Sequence, residues 1–383
     1  MKKILFITSN VQPVPDVKGG AIENLITILA EENENYKNFK LFVCSKYDSE
    51  ALKESIKFKN TFFNYYKKNT NFNLLNLLSK FLLTLENIIL FKKYKIPNYY
   101  FWTFKKAKKI NPDYIIAAGG LYENFILHSK YFGKKKLYAW LHRNQKKTKK
   151  LSKIFNKALA ISKHIANVWD KKNSILIRNC YDDKRFFQKK SSINRTDLGI
   201  QKNIFLIAYC GRIIKEKGVK ELILSTSKLN KKDVGILLIG SSFYRNSKIS
   251  IYQKKLKRIA SNLKINLYET GFIHGKFLKD YLSICNLCVV PSIYPEPQAL
   301  VPLEAMAVGV PVIISDVGGM KEYYDKKSLL KVKTKNFVVN LKKKIFMVYN
   351  NPKLREKLQY NGLKYVKQFK RKDYYNKFKK IFS

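Results

Sequence analysis

Acidic side chains are scarce in this sequence. Asp and Glu number 27 against 76 Lys and Arg, so the 383 residues carry a formal net charge of +49. Such an excess points to an anionic partner: nucleic acid, an anionic membrane surface or a phosphate-bearing substrate. Lys, Asn and Ile are abundant throughout, as an AT-rich coding sequence makes them, and compositional bias stays open as the other source of the charge. Cysteine is also rare, with Cys44, Cys180, Cys210, Cys285 and Cys288 only. Cys285 and Cys288 form the one C-x-x-C, inside the apolar run "YLSICNLCVVPS". A zinc site needs a second pair or nearby histidines, so this run reads as buried structure. The odd count and the lack of a signal peptide predict a reducing, cytoplasmic setting. No apolar run is long and clean enough to span a membrane. The nearest, "FNLLNLLSKFLLTLENIILF" from Phe72 to Phe91, is broken by Lys80, Glu86 and several asparagines. Its Leu74, Leu78, Phe81, Leu85 and Ile88 have helical spacing. That predicts an amphipathic helix, either facing a core or lying in a bilayer interface beside Lys67, Lys68, Lys92 and Lys93. No repeat with a period of roughly 20–50 residues is present.

What the sequence does contain is an alternation of strands and helices. Hydrophobic residues make up 46% of the chain, enough for real cores, and the length predicts two domains. In the first half "KKILFITS", "KLFVCS", "PDYIIAAGG", "KKLYAWLH", "KALAIS" and "SILIRN" read as strands. In the second, "NIFLIAYCGR", "VGILLIGS", "NLYETGFI", "NLCVVPS" and "VPVIISD" do, with helices from Val219, over Ile251 to Asn262 and after Glu296. Continuous apolar strands between helices mean parallel sheets covered on both faces. The fold class is α/β, with two Rossmann-like doubly wound domains facing across a cleft. A polar linker is expected around Cys180 to Lys202, and a basic helical tail from Leu354 to Ser383.

In open parallel sheets, ligands bind beyond the carboxyl ends of the strands. The candidates there are Gly19, Gly20, Gly119, Gly120 and His142 in the first half. In the second they are Gly211, Arg212, Lys217, Gly240 and the stretch "YPEPQALVPLEAMAVGVPVI". In that stretch Leu300 to Val308 reads as a helix, with Pro302 in its first turn and Gly309 and Pro311 at its end. The amides near Gln298 to Val301 then form an anion site. Glu296 precedes the helix, Glu304 sits one turn inside it, and the two carboxylates can approach one ligand. Hydroxyls at both ends and phosphate between describe a nucleotide sugar. Arg212 and Lys217 in "GRIIKEKG" suit its diphosphate. "DVGGMKEYY" adds Gly318, Gly319 and Glu322 to the same edge.

These motifs resemble the signature of retaining GT-B glycosyltransferases of the family 4 type. "GRIIKEKG", "ILLIGS", "ETGFI" and "NLCVVPSIYPEPQALVPLEAMAVGVPVIISDVGG" carry the resemblance, with Glu296 and Glu304 as its E-x7-E pair. "KGGAIENLI", "ALAISKHI" and "ILIRNCYDDKRF" match more loosely. The resemblance implies an acceptor-side domain over 1–180, a nucleotide-sugar domain over 181–365, and a helix over 366–383 packing back toward the first domain. It implies that Arg212 and Lys217 hold the donor diphosphate, with Gly211 beside them. Glu304 would bind the ribose and Glu296 the transferred sugar, next to the backbone of Gln298, Ala299 and Leu300. Gly19 and Gly20 would approach the phosphates, and His142 would lie near the reacting sugar. Gln298 and Ala299 stand where the family often has Phe-Gly.

The implied reaction moves a sugar from a UDP- or GDP-sugar to a glycan or lipid-linked acceptor, in bacterial surface polysaccharide synthesis such as lipopolysaccharide or capsule. Transfer would be front-face with retention. No cofactor is implied, no nucleic-acid partner is expected, and an anionic membrane surface is a candidate partner for a cytoplasmic, peripheral enzyme. No Asp-x-Asp occurs, which speaks against the metal-chelating type of glycosyltransferase. The alternatives are a nucleotide-sugar epimerase or hydrolase on the same fold, and a basic nucleic-acid- or membrane-binding protein. The lysines are spread along every segment rather than gathered in one stripe, which weakens the last.

Overall fold

The computed structural model describes residues 1–67, 96–242, 249–322, 325 and 327–383; the expected amphipathic helix from Phe72 to Phe91 lies outside them. The chain divides into two units, Met1–Ile177 with Lys377–Ser383, and Arg178–Asn376.

The first unit holds seven strands: β1 (Lys2–Ile7), β2 (Phe39–Lys46), β3 (Thr61–Tyr66), β4 (Tyr114–Ala118), β5 (Leu137–Leu141), β6 (Lys157–Ala160) and β7 (Ser174–Leu176). Their order is 3-2-1-4-5-6-7, and every neighbouring pair is parallel. Ile4, Leu5, Phe6 and Ile7 are wholly buried, as a strand covered on both faces requires. The residues at 377–383 complete this core. Phe378 stacks on Phe6 and meets Phe39 edge-on, each at 5.8 Å, while Phe382 lies 5.1 Å from both Tyr114 and Tyr138.

His128 is fully buried in this unit, against Phe104 and Phe125. Its Nε2 lies 3.3 Å from Thr103 Oγ1. Burial pushes its pKa from 6.5 down to about 3, so the fold holds the neutral ring. The unfolded chain takes up a proton below pH 6.5 and the folded one does not. The stabilisation is therefore complete above that pH and is lost as pH falls toward 3, by about 1.4 kcal/mol per pH unit. His128→Phe is expected to flatten the acid side of a stability–pH curve measured by urea unfolding. An unchanged slope would show that His128 is not the acid-sensitive group.

The second unit holds β8 (Phe205–Cys210), β9 (Val234–Ile239), β10 (Asn266–Gly271), β11 (Leu287–Val290), β12 (Val312–Ser315) and β13 (Leu330–Val332). The order is 10-9-8-11-12-13, again all parallel. Alternate residues feed two cores, one on each face. Leu206, Ala208, Leu237, Cys288, Val290 and Ile314 lie in one, and Ile207, Tyr209, Ile236, Leu238, Val289 and Ile313 in the other. The helix Ile251–Asn262 opens on the Ser250 side chain, which accepts from Gln253 N–H at 3.1 Å.

Two strands escape the sequence reading, β3 and β13, and each is an edge of its sheet. An edge strand leaves part of its surface in water, so "TFFNYY" and "LKV" carry no long apolar run; Phe62 is 45% exposed. The linker expected over Cys180 to Lys202 is corrected at its start, since the units divide between Ile177 and Arg178. Asn179, Cys180, Tyr181 and Asp182 are buried. Asp182 pairs with Arg371 Nη1 at 3.0 Å and with Arg185 Nε at 2.8 Å. Tyr181 N–H donates to Phe369 O at 3.1 Å. The Arg195 guanidinium donates to the carbonyls of Ile204 and Ile284 at 2.7 and 2.8 Å. These polar groups are satisfied inside the second unit, while residues 187–190 of the same segment are exposed.

Candidate functional site

The strand order of the second unit reverses between β8 and β11, and the loops leaving these two strands meet at the switch point. The loop after β8 carries Gly211 and Arg212, a tight turn Lys215–Lys217, then Gly218 and the helix Val219–Ser227. Gly218 has φ +71°, and a Cβ there would lie 1.9 Å from Pro291 O. Only glycine permits both the backbone conformation and the approach. Ile293 N–H donates to Glu216 O at 3.0 Å, tying the loops together. Across this junction Lys217 Nζ pairs with Glu296 Oε1. Ser292 Oγ donates to the same Oε1 at 2.6 Å.

A third loop, after β12, fixes the backbone of Glu296. Gly319 N–H donates to Glu296 O at 2.7 Å. Gly318 has φ +51°, and a Cβ there would stand 2.4 Å from Glu296 O and 2.8 Å from its N. Glu296 is 4% exposed, yet its Oε2 makes no hydrogen bond among the described residues.

Glu304 lies in the first turn of the helix Val301–Ala307, which has Pro302 at its start. A pair of hydrogen bonds, Gly309 N–H to Met306 O at 3.0 Å and Val310 N–H to Ala305 O at 2.9 Å, ends that helix. Burial pushes the Cys210 thiol well up, and the charge of Glu304 adds to the shift, which sets Glu304 against the end of β8. Tyr294 is raised by burial first, then by Glu296, with Arg212 opposing; the three share one neighbourhood. The Arg212 side chain is exposed, and its carbonyl accepts from the buried Tyr209 hydroxyl at 2.6 Å. Gln298 turns its Oε1 to Asn179 N–H at 3.0 Å, so its side chain holds the loop. Ala299 is half-buried, and Leu300 O accepts from Leu303 and Glu304 N–H at 2.8 and 3.1 Å. Burial pushes Cys285 up to about 12, and Cys288 higher still; both act as packing groups rather than nucleophiles.

The other three expected residues belong to the first unit. Gly19 and Gly20 have φ +79° and +145° and open the helix Ala21–Tyr36. His142 follows β5 with its ring 4.7 Å from that of Trp140. Its Nε2 is shut from solvent without a hydrogen-bond partner among the described residues. Burial pushes its pKa down to about 3, so the ring is neutral at physiological pH.

The sequence of this region matches the family model "Glycosyl transferases group 1" over residues 190–365. Those residues form a glycosyltransferase group 1 domain. Among curated relatives, an uncharacterized glycosyltransferase of Methanocaldococcus jannaschii is 31% identical over 144 residues, 37% of this chain and 35% of that one. The lipopolysaccharide 1,2-N-acetylglucosaminetransferase of Salmonella typhimurium is 27% identical over 132 residues, 34% of this chain and 35% of that one. The matches thus span about a third of each relative's length. The crystal structure of Anabaena HepE in complex with UDP and glucose covers 100% of this chain and 99% of its own at TM-score 0.76, with 17% identity. At that identity the likeness concerns the fold, and the GT-B fold expected from the sequence is the one observed.

Within the group 1 domain, Glu296, Lys217, Arg212, Gly211, Gln298, Ala299, Leu300 and Glu304 all lie at or next to the β8–β11 switch. Sequence reasoning missed Ser292, Gly218 and Asn179. The one signal for Ser292 is a hydroxyl four residues before Glu296, two residues past a strand.

Proposed function

We propose that the chain is a retaining, metal-independent glycosyltransferase. It moves a sugar from a UDP- or GDP-sugar to a glycan or lipid-linked acceptor in the synthesis of bacterial surface polysaccharide, such as lipopolysaccharide or capsule. The observation that carries this reading is the Lys217–Glu296–Ser292 cluster at the switch point of a group 1 domain. Arg212 and Lys217 supply positive charge for the leaving diphosphate, an electrostatic role worth several kcal/mol in comparable sites. Glu304 takes the ribose and Glu296 the transferred sugar. The acceptor hydroxyl attacks on the face from which the nucleoside diphosphate leaves, and a leaving-phosphate oxygen takes the hydroxyl proton. HepE, described with UDP and glucose, supports a UDP-sugar as the first donor to try.

A thermal-shift screen of UDP- and GDP-sugars tests this. A donor at a hundred times its Kd is expected to stabilise by about 2.7 kcal/mol, and turnover with acceptor is expected to persist in excess chelator. Complete, metal-reversible loss would overturn metal independence. Donor consumption without any acceptor would favour a hydrolase or epimerase.

The acceptor is proposed to be met at an anionic membrane face, with the protein peripheral on its cytoplasmic side. Among the described residues no helix is long and apolar enough to cross a membrane. The helix Asn98–Ile110 carries lysines over aromatic rings. Lys105 lies 5.2 Å from the Phe101 centroid, Lys106 5.7 Å from Trp102 and Lys108 4.8 Å from Tyr131. Neither 98–110 nor 126–136 contains an acid. Each lysine near an anionic leaflet contributes about 1 kcal/mol. Sedimentation with phosphatidylserine-containing vesicles is expected, and with neutral vesicles not. Equal binding to both would assign the charge to compositional bias.

A further inference from the structure

We propose that Ser292 is the fixed anchor of the Glu296 carboxylate and Lys217 its exchangeable partner, so that Ser292 positions Oε2 toward the donor's transferred sugar. The inference rests on the glycosyltransferase reading above. Ser292 is 1% exposed and belongs to the same loop as Glu296. A single side-chain torsion sets its hydroxyl, whose neighbour Pro291 is pressed against Gly218. At 2.6 Å its hydrogen bond to Oε1 is a short, charge-assisted one. The backbone of Glu296 is held separately by Gly319 N–H and the close approach of Gly318. Backbone and one carboxylate oxygen are thus both fixed, which leaves Oε2 as the oxygen to offer.

Lys217 is built differently. Its ammonium ends a four-carbon stem, carries three donors and is 22% exposed. It has the reach to turn toward a diphosphate. A buried carboxylate left with no partner is costly; Ser292 keeps Glu296 hydrogen-bonded when Lys217 turns away. Among the described residues, Glu296 also acts on Tyr209 near the end of β8 and on Tyr294 in its own loop, and Arg212 acts on the same two tyrosines.

Ser292→Ala removes the anchor and Ser292→Thr keeps the hydroxyl. Turnover of UDP-glucose with acceptor is expected to fall roughly ten- to a hundredfold in the alanine variant, the scale of one hydrogen bond to a charged group. Binding of free UDP, which has no sugar to present to Glu296, is expected to change less. In the ligand-free protein the 13C-NMR shift of the Glu296 carboxyl is expected to move in the alanine variant, because Oε1 loses a 2.6 Å hydrogen bond. The threonine variant is expected to recover both the rate and the carboxyl shift. If the wild type neither binds UDP nor turns over UDP-glucose, the functional reading fails for this donor, and the Glu296 carboxyl shift still decides the anchor. If the wild type is active and the alanine variant keeps its rate and its Glu296 carboxyl shift, the anchor is overturned and the reading stands.

Discussion

Lys217→Ala is expected to lower sugar transfer by on the order of a hundredfold or more, the scale of losing one preorganised electrostatic partner. Negative charge grows on the diphosphate as the glycosidic bond breaks. A cation at that place therefore matters more to the rate than to ground-state binding, and free UDP affinity measured by calorimetry is expected to fall less than turnover. The ion pair with Glu296 adds a second reason. Removing Lys217 leaves a nearly buried carboxylate with Ser292 as its one remaining hydrogen-bond donor among the described residues. Arg212→Lys is expected to recover activity only in part when compared with Arg212→Ala, because a forked contact becomes a point charge. Heparin binding is expected to stay nearly unchanged in both, since each alters little of a chain with 76 basic residues. Full transfer activity in Lys217→Ala, or collapse of heparin binding, would show that the site is assigned wrongly.

The largest expected effect on stability comes from Asp182→Ala. Asp182 and Arg371 are each 2% exposed, and their contact at 3.0 Å joins the start of the second unit to its final helix. Removing one member of a buried pair leaves the other charge uncompensated, which costs about 3–5 kcal/mol. Urea unfolding is expected to show a lower midpoint with an unchanged slope. Asp182→Asn is expected to lose less, because an acceptor remains for Arg371 and Arg185. A loss below about 1 kcal/mol in the alanine variant would mean that the pair is replaceable by its surroundings.

Where sequence and structure agree, burial on both faces is the reason. Strands β8 and β9 are apolar from end to end, and β1 from Ile4 to Ile7, because these stretches are covered above and below, and a continuous run needs no partner to be recognised. The helix Ile251–Asn262 was legible from its alternation and its boundaries. Edge strands β3 and β13 were not, because water covers part of them and relaxes the pattern. In the candidate site, Glu296, Glu304, Arg212 and Lys217 could be placed at strand ends. Their pairing could not: Lys217 and Glu296 are 79 residues apart, and only the strand order brings their loops together. Ser292 was invisible for a simpler reason. A serine after a strand carries no period, and its role comes from one torsion and one distance.

The first sheet has a further consequence for how the molecule is made. Phe378 and Phe382 belong to the core that contains Phe6, Phe39, Tyr114 and Tyr138, yet the whole of the other unit, Arg178–Asn376, separates them from β7 along the chain. During synthesis from the amino end, the strands that contain Phe6 and Phe39 leave the ribosome long before the rings that cover them. Of the two units, the one whose strands are translated first is thus the last to be finished, and the second unit has its whole sequence before the first does.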